Sequence, residues 1–161
     1  MSYESPIGRL KLESDGAALT ALSFEGTSPS SVVNPGSETV KPLPVFDETC
    51  RWLDIYFRGG IPDFTPSLTL HGSDFRQAVW KILLEIPYGV TTTYGEIAAR
   101  LVRGTPGKMS AQAVGGAVGH NPVAIIVPCH RVIGADGSLT GYASGLPRKS
   151  WLLHHERPEK F

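Results

Sequence analysis

Apolar and polar residues alternate near the start of the chain, and the period then changes. Arg9-Leu10-Lys11-Leu12-Glu13 alternates with period two, Asp15-Gly16 offers a turn, and Ala21-Leu22-Ser23-Phe24 alternates again. That pattern predicts an antiparallel hairpin with one apolar face. Residues 26–44 hold most of the early Ser, Pro, Gly and Asn, including Asn34-Pro35-Gly36, and read as a loop. Phe46, Cys50, Leu53 and Phe57 then recur at i, i+4, i+7 and i+11. This is one face of a helix, which Gly59-Gly60 ends. Leu68-Thr69-Leu70 is long enough for one more short strand.

After His71-Gly72 the pattern is helical. Ser73 can cap a helix whose stripe is Phe75, Val79, Ile82, Leu83 and Ile86, stopped by Pro87-Tyr88-Gly89. Thr93-Tyr94-Gly95-Glu96 reads as a capping box, opening a helix that carries Ile97, Ala98 and Leu101. Thr105-Pro106-Gly107 breaks it, Ser110 caps the next, and Ala111 through Gly119 is a helix of small residues. Two short helices joined by a turn suggest a helix-turn-helix. The Arg103–Met109 linker is longer than the usual three or four residues. Ala124–Val127 reads as a buried strand running into Pro128-Cys129-His130-Arg131, Asp136-Gly137 as a hairpin turn, and Pro147 begins a last helix through Glu156. No internal repeat is visible.

Composition narrows the class. A length of 161 residues suits one domain or two small ones, and 41% hydrophobic residues suffice for a core. Two cysteines cannot supply a disulfide framework or a four-thiolate zinc site. No apolar run reaches membrane length, and Met1-Ser2-Tyr3-Glu4 lacks the basic start of a signal peptide. A reduced, cytoplasmic, monomeric protein without membrane contact is the expectation. The formal net charge is zero, but residues 1–72 hold 5 Lys+Arg against 9 Asp+Glu, and residues 73–161 hold 10 against 6. Such an asymmetry hints that the second half faces a polyanion.

Cys129 is the sharpest chemical feature, because Pro128 stops an apolar stretch immediately before it and His130 and Arg131 follow. A free thiol has a pKa of about 8.5, so a neighbouring imidazole or guanidinium would raise the thiolate fraction a nucleophile needs. The competing reading is an inert buried thiol, which Cys50 fits from its place on a helix stripe. Metal binding through Cys129, His130, His154 and His155 lacks any ligand spacing.

The sequence Ile-Val-Pro-Cys-His-Arg-Val at 126–132 resembles the acceptor-cysteine motif of the O6-alkylguanine-DNA alkyltransferases. Ala-Val-Gly-Gly-Ala at 113–117, Asn121-Pro122, Gly141-Tyr142, Lys149, Trp151-Leu152-Leu153 and Glu156 follow that family's order and spacing. Phe75 through Trp80 and Ile86 through Gly89 resemble its opening helix, and Ser5-Pro6-Ile7-Gly8 its N-terminal domain. The resemblance implies an α+β fold. Residues 1–72 would form a small antiparallel sheet plus helix of ribonuclease H-like type. Residues 73–161 would form a mostly helical, winged helix-turn-helix-type domain that binds DNA and accepts the alkyl group.

The resemblance also implies roles. Cys129 attacks the alkyl carbon on guanine O6 after the nucleotide is flipped from duplex DNA. His130 takes the thiol proton through a water, and Glu156 orients the imidazole. Asn121 fixes the turn around the cysteine, and Tyr94 donates to N3 of the leaving guanine. The carbonyls of Cys129 and Val132 accept from the base amine, Tyr142, Ala143 and Ser144 line the alkyl side, and Lys149 helps on that wall. The second helix of the helix-turn-helix enters the minor groove. Gln112, Ala113 and Gly115 are expected at the DNA, with Ala111 and Gly116 permitting close approach and Arg131 adding charge. The family commonly carries an arginine seventeen residues before the cysteine, where this chain has Gln112. Arg103 and Lys108 are either phosphate contacts or ordinary loop charges. No cofactor or metal is implied, and the thioether formed is not released, so each molecule acts once. Two alternatives stay open: a lesion-binding relative that performs no transfer, and a cysteine hydrolase built on Cys129, His130 and Glu156.

Overall fold

A computed structural model describes residues 1–26, 42–103, 107 and 109–161. Most of the loop expected at 26–44, the break at Thr105-Pro106, and Lys108 lie outside the described residues. The chain is an α+β protein that divides into two compact units. One comprises Met1–His71 with Pro122–Ala124, and the other Gly72–Asn121 with Ile125–Phe161.

In the first unit, β1 (Ser2–Ser5), β2 (Gly8–Ser14) and β3 (Leu19–Phe24) form an antiparallel sheet in that order. The register pairs Leu10 with Phe24 and Leu12 with Leu22, so the period-two alternation puts all four on one face. Each is at most 1% exposed. Asp15 closes the β2–β3 turn by accepting from the backbone of Ala17 and Ala18. The strand β1 has no alternation strong enough to show in the sequence; it is held by pairing with β2 from Ser2↔Lys11 to Ser5↔Gly8.

Helix α1 (Pro44–Phe57) buries Val45, Phe46, Thr49, Trp52, Leu53 and Tyr56. This face is rotated from the expected stripe, leaving Cys50 and Phe57 half-buried. The bulky Trp52 and Tyr56, stacked with centroids 5.3 Å apart, decide which side turns inward. Two expected strands are absent. Leu68-Thr69-Leu70 makes only a single parallel bridge, Leu19↔Leu68. Ala124–Val127 is a buried turn: Val123 bridges Leu22, and Ile125 then takes φ 70°, which ends any extension.

The second unit is mostly helical. Helix α2 (Asp74–Leu84) is capped by Ser73 and buries Val79, Trp80 and Leu83. The Trp80 indole donates to Ala117 O at 2.9 Å, tying α2 to α4 (Ala111–Gly119). The capping box of Thr93 and Glu96 forms and opens α3 (Tyr94–Leu101), while Ser110 caps α4 through Ala113 N. The short strand β4 (Thr92–Thr93) runs parallel to β5 (Val132–Ile133), which anchors the start of α3 beside the segment following Cys129. Asp136-Gly137 is a turn closed by Gly134 N to Ser138 O, but no returning strand follows, so it makes no hairpin. Helix α5 (Leu146–Glu156) carries Lys149 and Glu156 on its buried face.

Candidate active site

Cys129 opens a single 3-10 turn, Cys129–Arg131, set off by Pro128. Its N–H donates to Val127 O at 2.8 Å, and Asn121 Nδ2 donates to the same carbonyl at 2.8 Å. Ile125, fully buried, holds the segment leading in at positive φ. A β-branched residue there is strained by about 1–3 kcal/mol and needs surrounding packing to persist. The sulfur is buried, and burial pushes its pKa up. Asn121, Lys149, its own backbone N–H and Tyr142 pull in the other direction without prevailing. The expected thiolate stabilisation by His130 or Arg131 is therefore not what the site provides. At rest the thiol is neutral, and it would have to lose its proton to act as a nucleophile.

The group that can take a proton is beside it in the chain. His130 is fully buried, and its Nε2 lies 2.5 Å from Glu156 Oε2. Burial lowers the imidazole pKa despite the opposing pull of Glu156. The ring is thus neutral, its Nε2 proton donated to the carboxylate, and Nδ1 is left as an acceptor. Nδ1 is buried and has no hydrogen-bond partner among the described residues.

Glu156 serves more than His130. Arg131 Nε donates to Oε1 at 2.8 Å, Nη2 to Oε2 at 3.2 Å, and Gly89 N to Oε1 at 3.1 Å. Burial alone would raise the carboxyl pKa, but the hydrogen bonds from His130 and Arg131 and the charge of Arg131 hold it well below the carboxylate range. Arg131 Nη1 also donates to Ile86 O at 2.7 Å, and its guanidinium lies over the Tyr88 ring. The expectation that Arg131 touches DNA is corrected here. Arg131 is only 8% exposed, and its guanidinium is consumed by Glu156 and Ile86, because a carboxylate buried beside a neutral histidine requires a compensating cation.

Lys149 is also fully buried. Its Nζ donates to Val132 O at 2.6 Å, Thr140 O at 2.8 Å and Gly141 O at 3.3 Å. Burial lowers its pKa to about 8, against the attraction of Cys129. The lysine thus pins the loop from Val132 to Gly141, and its charge acts on the Cys129 thiol. Val132 O, expected to face a base, already holds one hydrogen bond. Past Gly141, Tyr142 presents a buried hydroxyl, and Gly145 N closes on Tyr142 O at 2.9 Å. Ala143 and Ser144 sit in that closed turn, Ala143 exposed and Ser144 half-buried.

Tyr94, first residue of α3, reaches this loop: its Oη lies 3.2 Å from Thr140 Oγ1 and 3.5 Å from Thr140 O. On α4, Gln112 and Ala113 are exposed, as is Gly116, where an added Cβ meets only open space. Gly115, expected on the same outward face, instead turns to the Tyr94 ring, 3.8 Å from where a Cβ would stand. Arg103 is exposed just beyond α3. Cys50 lies apart on α1, its thiol pushed up by burial and by the charges of Asp54 and Asp47.

Sequence reading missed Thr140, Trp80 and the backbone groups of Ile86 and Gly89. Trp80 had a usable signal as a large aromatic inside a helical stripe. The others act through loop backbone or by folding back over tens of residues, and no local pattern marks them.

A family model described as 6-O-methylguanine DNA methyltransferase, DNA binding domain, matches residues 74–158. A second, described as 6-O-methylguanine DNA methyltransferase, ribonuclease-like domain, matches residues 1–70. The methylated-DNA–protein-cysteine methyltransferase of Mycobacterium tuberculosis is 47% identical over 161 residues, covering 97% of this chain and 90% of its own. The protein of the same name from Methanosarcina acetivorans is 46% identical over 155 residues, covering 96% and 95%. Among solved structures, Mycobacterium tuberculosis OGT in complex with DNA gives a TM-score of 0.80 at 46% identity, covering 98% of this chain and 91% of that one.

Proposed function

The chain belongs to the 6-O-methylguanine DNA methyltransferase family, and on that premise we propose that it repairs DNA by moving an alkyl group from guanine O6 to Cys129. The enzyme is a methylated-DNA–protein-cysteine methyltransferase, and its partner is DNA. The observation that carries this reading is the cluster around the thiol. A buried Cys129 is followed by a neutral His130, oriented by Glu156 and carrying an unpaired Nδ1.

The O6 atom lies within the base stack, so the nucleotide leaves the duplex at a cost of about a few kcal/mol. Residues 73–161 form the DNA-binding and acceptor domain in this reading, with Gln112, Ala113 and Gly116 on the exposed side of α4 approaching the minor groove. The amide of Gln112 hydrogen-bonds to the base left without its partner. In the pocket, the Cys129 proton passes through a water to His130 Nδ1, and Glu156, held in place by Arg131, stabilises the imidazolium that results. The sulfur attacks the alkyl carbon in line. A carbon–sulfur bond forms as the carbon–oxygen bond breaks, and the electron pair returns to the purine. Tyr94 supplies a proton to N3, so guanine departs neutral, and the imidazolium proton returns to the tyrosinate through solvent. The carbonyls of Cys129 and Val132 take the base amine, while Tyr142, Ala143 and Ser144 flank the alkyl group. The thioether is a poor leaving group, so the acceptor is used once, with no cofactor. The working protein is a cytoplasmic monomer. A lesion-binding relative that omits transfer is disfavoured because the acceptor cysteine is present.

The test is direct. The protein is mixed with excess duplex carrying O6-methylguanine, and intact mass is followed by peptide mapping. One methyl on Cys129 and none on Cys50 is expected, with no mass gain in Cys129→Ser. Tight binding of the lesion without a mass gain in the wild type would overturn the assignment.

A further inference from the structure

One residue joins the two ends of the reaction pocket. Thr140 lies in the irregular segment between β5 and α5, outside every hydrophobic pattern of the sequence. Its carbonyl accepts from Lys149 Nζ at 2.8 Å, and the Lys149 charge pulls the pKa of the Cys129 thiol down against burial. Its hydroxyl donates to Tyr94 Oη at 3.2 Å, and its carbonyl stands 3.5 Å from that same oxygen as the acceptor of the phenolic proton. One residue thus parks the proton that Tyr94 must give away and supplies a donor to the oxygen that loses it.

We propose that Thr140 is a positioning residue for alkyl transfer: its hydroxyl holds Tyr94 in place and donates to the phenolate oxygen formed when the phenol protonates the leaving guanine. The proposal rests on the reading of Tyr94 as the proton donor to N3. When the base enters, the phenol O–H leaves the Thr140 carbonyl and turns to N3. The O–H bond breaks as the N–H bond forms, and the charge left on Oη meets the Thr140 hydroxyl. The carbonyl, freed of the phenol, keeps its bond to Lys149. The present contacts are long, as catalytic hydrogen bonds commonly are before substrate is bound, and they shorten as charge develops. Thr140 is exposed in the free protein, so a docked duplex strengthens the bond further by excluding water.

The probe is single-turnover transfer from two duplexes, one holding O6-methylguanine and the other O6-methyl-3-deazaguanine, in which a C–H replaces N3 and nothing there can be protonated. On O6-methylguanine, Thr140→Val is expected to slow transfer about ten- to a hundredfold, the loss of one hydrogen bond to a charged oxygen. Thr140→Ser, which keeps the hydroxyl, restores the rate. On the deaza duplex, wild type and Thr140→Val should transfer equally fast. Equal slowing on both duplexes would reveal a merely structural role and overturn the proposal, as would a Thr140→Val rate equal to wild type. Tyr94→Phe separates the two layers. If it is as fast as wild type on O6-methylguanine, the N3 reading fails and this proposal with it; if it is slow while Thr140→Val is not, this proposal alone fails. Circular dichroism and lesion-duplex affinity of Thr140→Val check that the fold persists, and a misfolded valine variant leaves the Thr140→Ala and Thr140→Ser pair to decide between the same outcomes.

Discussion

In the sheet of residues 1–24, Leu10, Leu12, Leu22 and Phe24 are shielded by strict alternation, and the strands satisfy each other's backbone groups in register. Around Cys129 the backbone turns at Ile125, Pro128 and Gly141 and has almost no ladder to rely on. There the backbone is held by side chains instead. Among the described residues five buried side chains are polar or charged, and four of them, His130, Arg131, Lys149 and Glu156, belong to this region. The fifth, Thr49, merely bonds back to Val45 O within its own helix. Apolar burial can stabilise regular structure, because strands and helices supply their own hydrogen bonds. Irregular backbone around a buried thiol needs donors and acceptors brought from elsewhere, and charged ones are the strongest.

That contrast can be broken from either side. Glu156→Gln should have the largest effect, because it leaves Arg131 buried without its counter-charge and His130 without its orienting carboxylate. We expect a loss of about 3–5 kcal/mol in urea unfolding and a fall of about a hundredfold or more in transfer rate. Leu12→Ala in the sheet should cost about 2–5 kcal/mol through the cavity it opens. Its transfer rate per folded molecule should be unchanged, and a matching fall in that rate would show that the two regions are not separable.

Acidification sharpens the same comparison. Both His130 and Glu156 are held below their ordinary pKa values in the folded protein, so the unfolded chain takes up their protons first. Their stabilisation is complete above about pH 6.5 and is lost progressively as the pH falls, the histidine share first and the glutamate share below about pH 4.3. Urea midpoints should therefore fall equally between pH 7.5 and pH 5 for wild type and Leu12→Ala, and by at least as much for Glu156→Gln, which removes the partner that holds the His130 pKa up. The smallest effect is expected at Ser110→Ala, which removes only the cap on Ala113 N and should cost about 1 kcal/mol. A larger loss there would mean that α4 depends on its own cap more than on the burial of Val114, Ala117 and Val118.

Legibility in the sequence followed the same division. The hairpin of β2 and β3, the capping box of Thr93 and Glu96, the caps at Ser73 and Ser110 and the last helix all rest on interactions within a few residues, and all are present. The apolar run Ala124–Val127 predicts a strand but forms a buried turn, because such a run looks alike in both and only Ile125's positive φ separates the two. Cys50 is only half-buried on α1 because a helical period leaves the phase of the buried face open by one position.

By itself the sequence determined the α+β class, the caps and turns, and the candidate nucleophile in its Pro-Cys-His-Arg setting. These depend on near neighbours and on residue chemistry that no packing can alter. Only the tertiary structure decided that Arg131 serves Glu156 rather than DNA, that Lys149 clamps a loop, that the resting thiol is neutral, and that Thr140 meets Tyr94. Each follows from burial or from pairing across 9 to 46 residues of chain. Such partners are chosen by the folded geometry, and the cost of leaving a buried charge or carbonyl unpaired makes that choice binding.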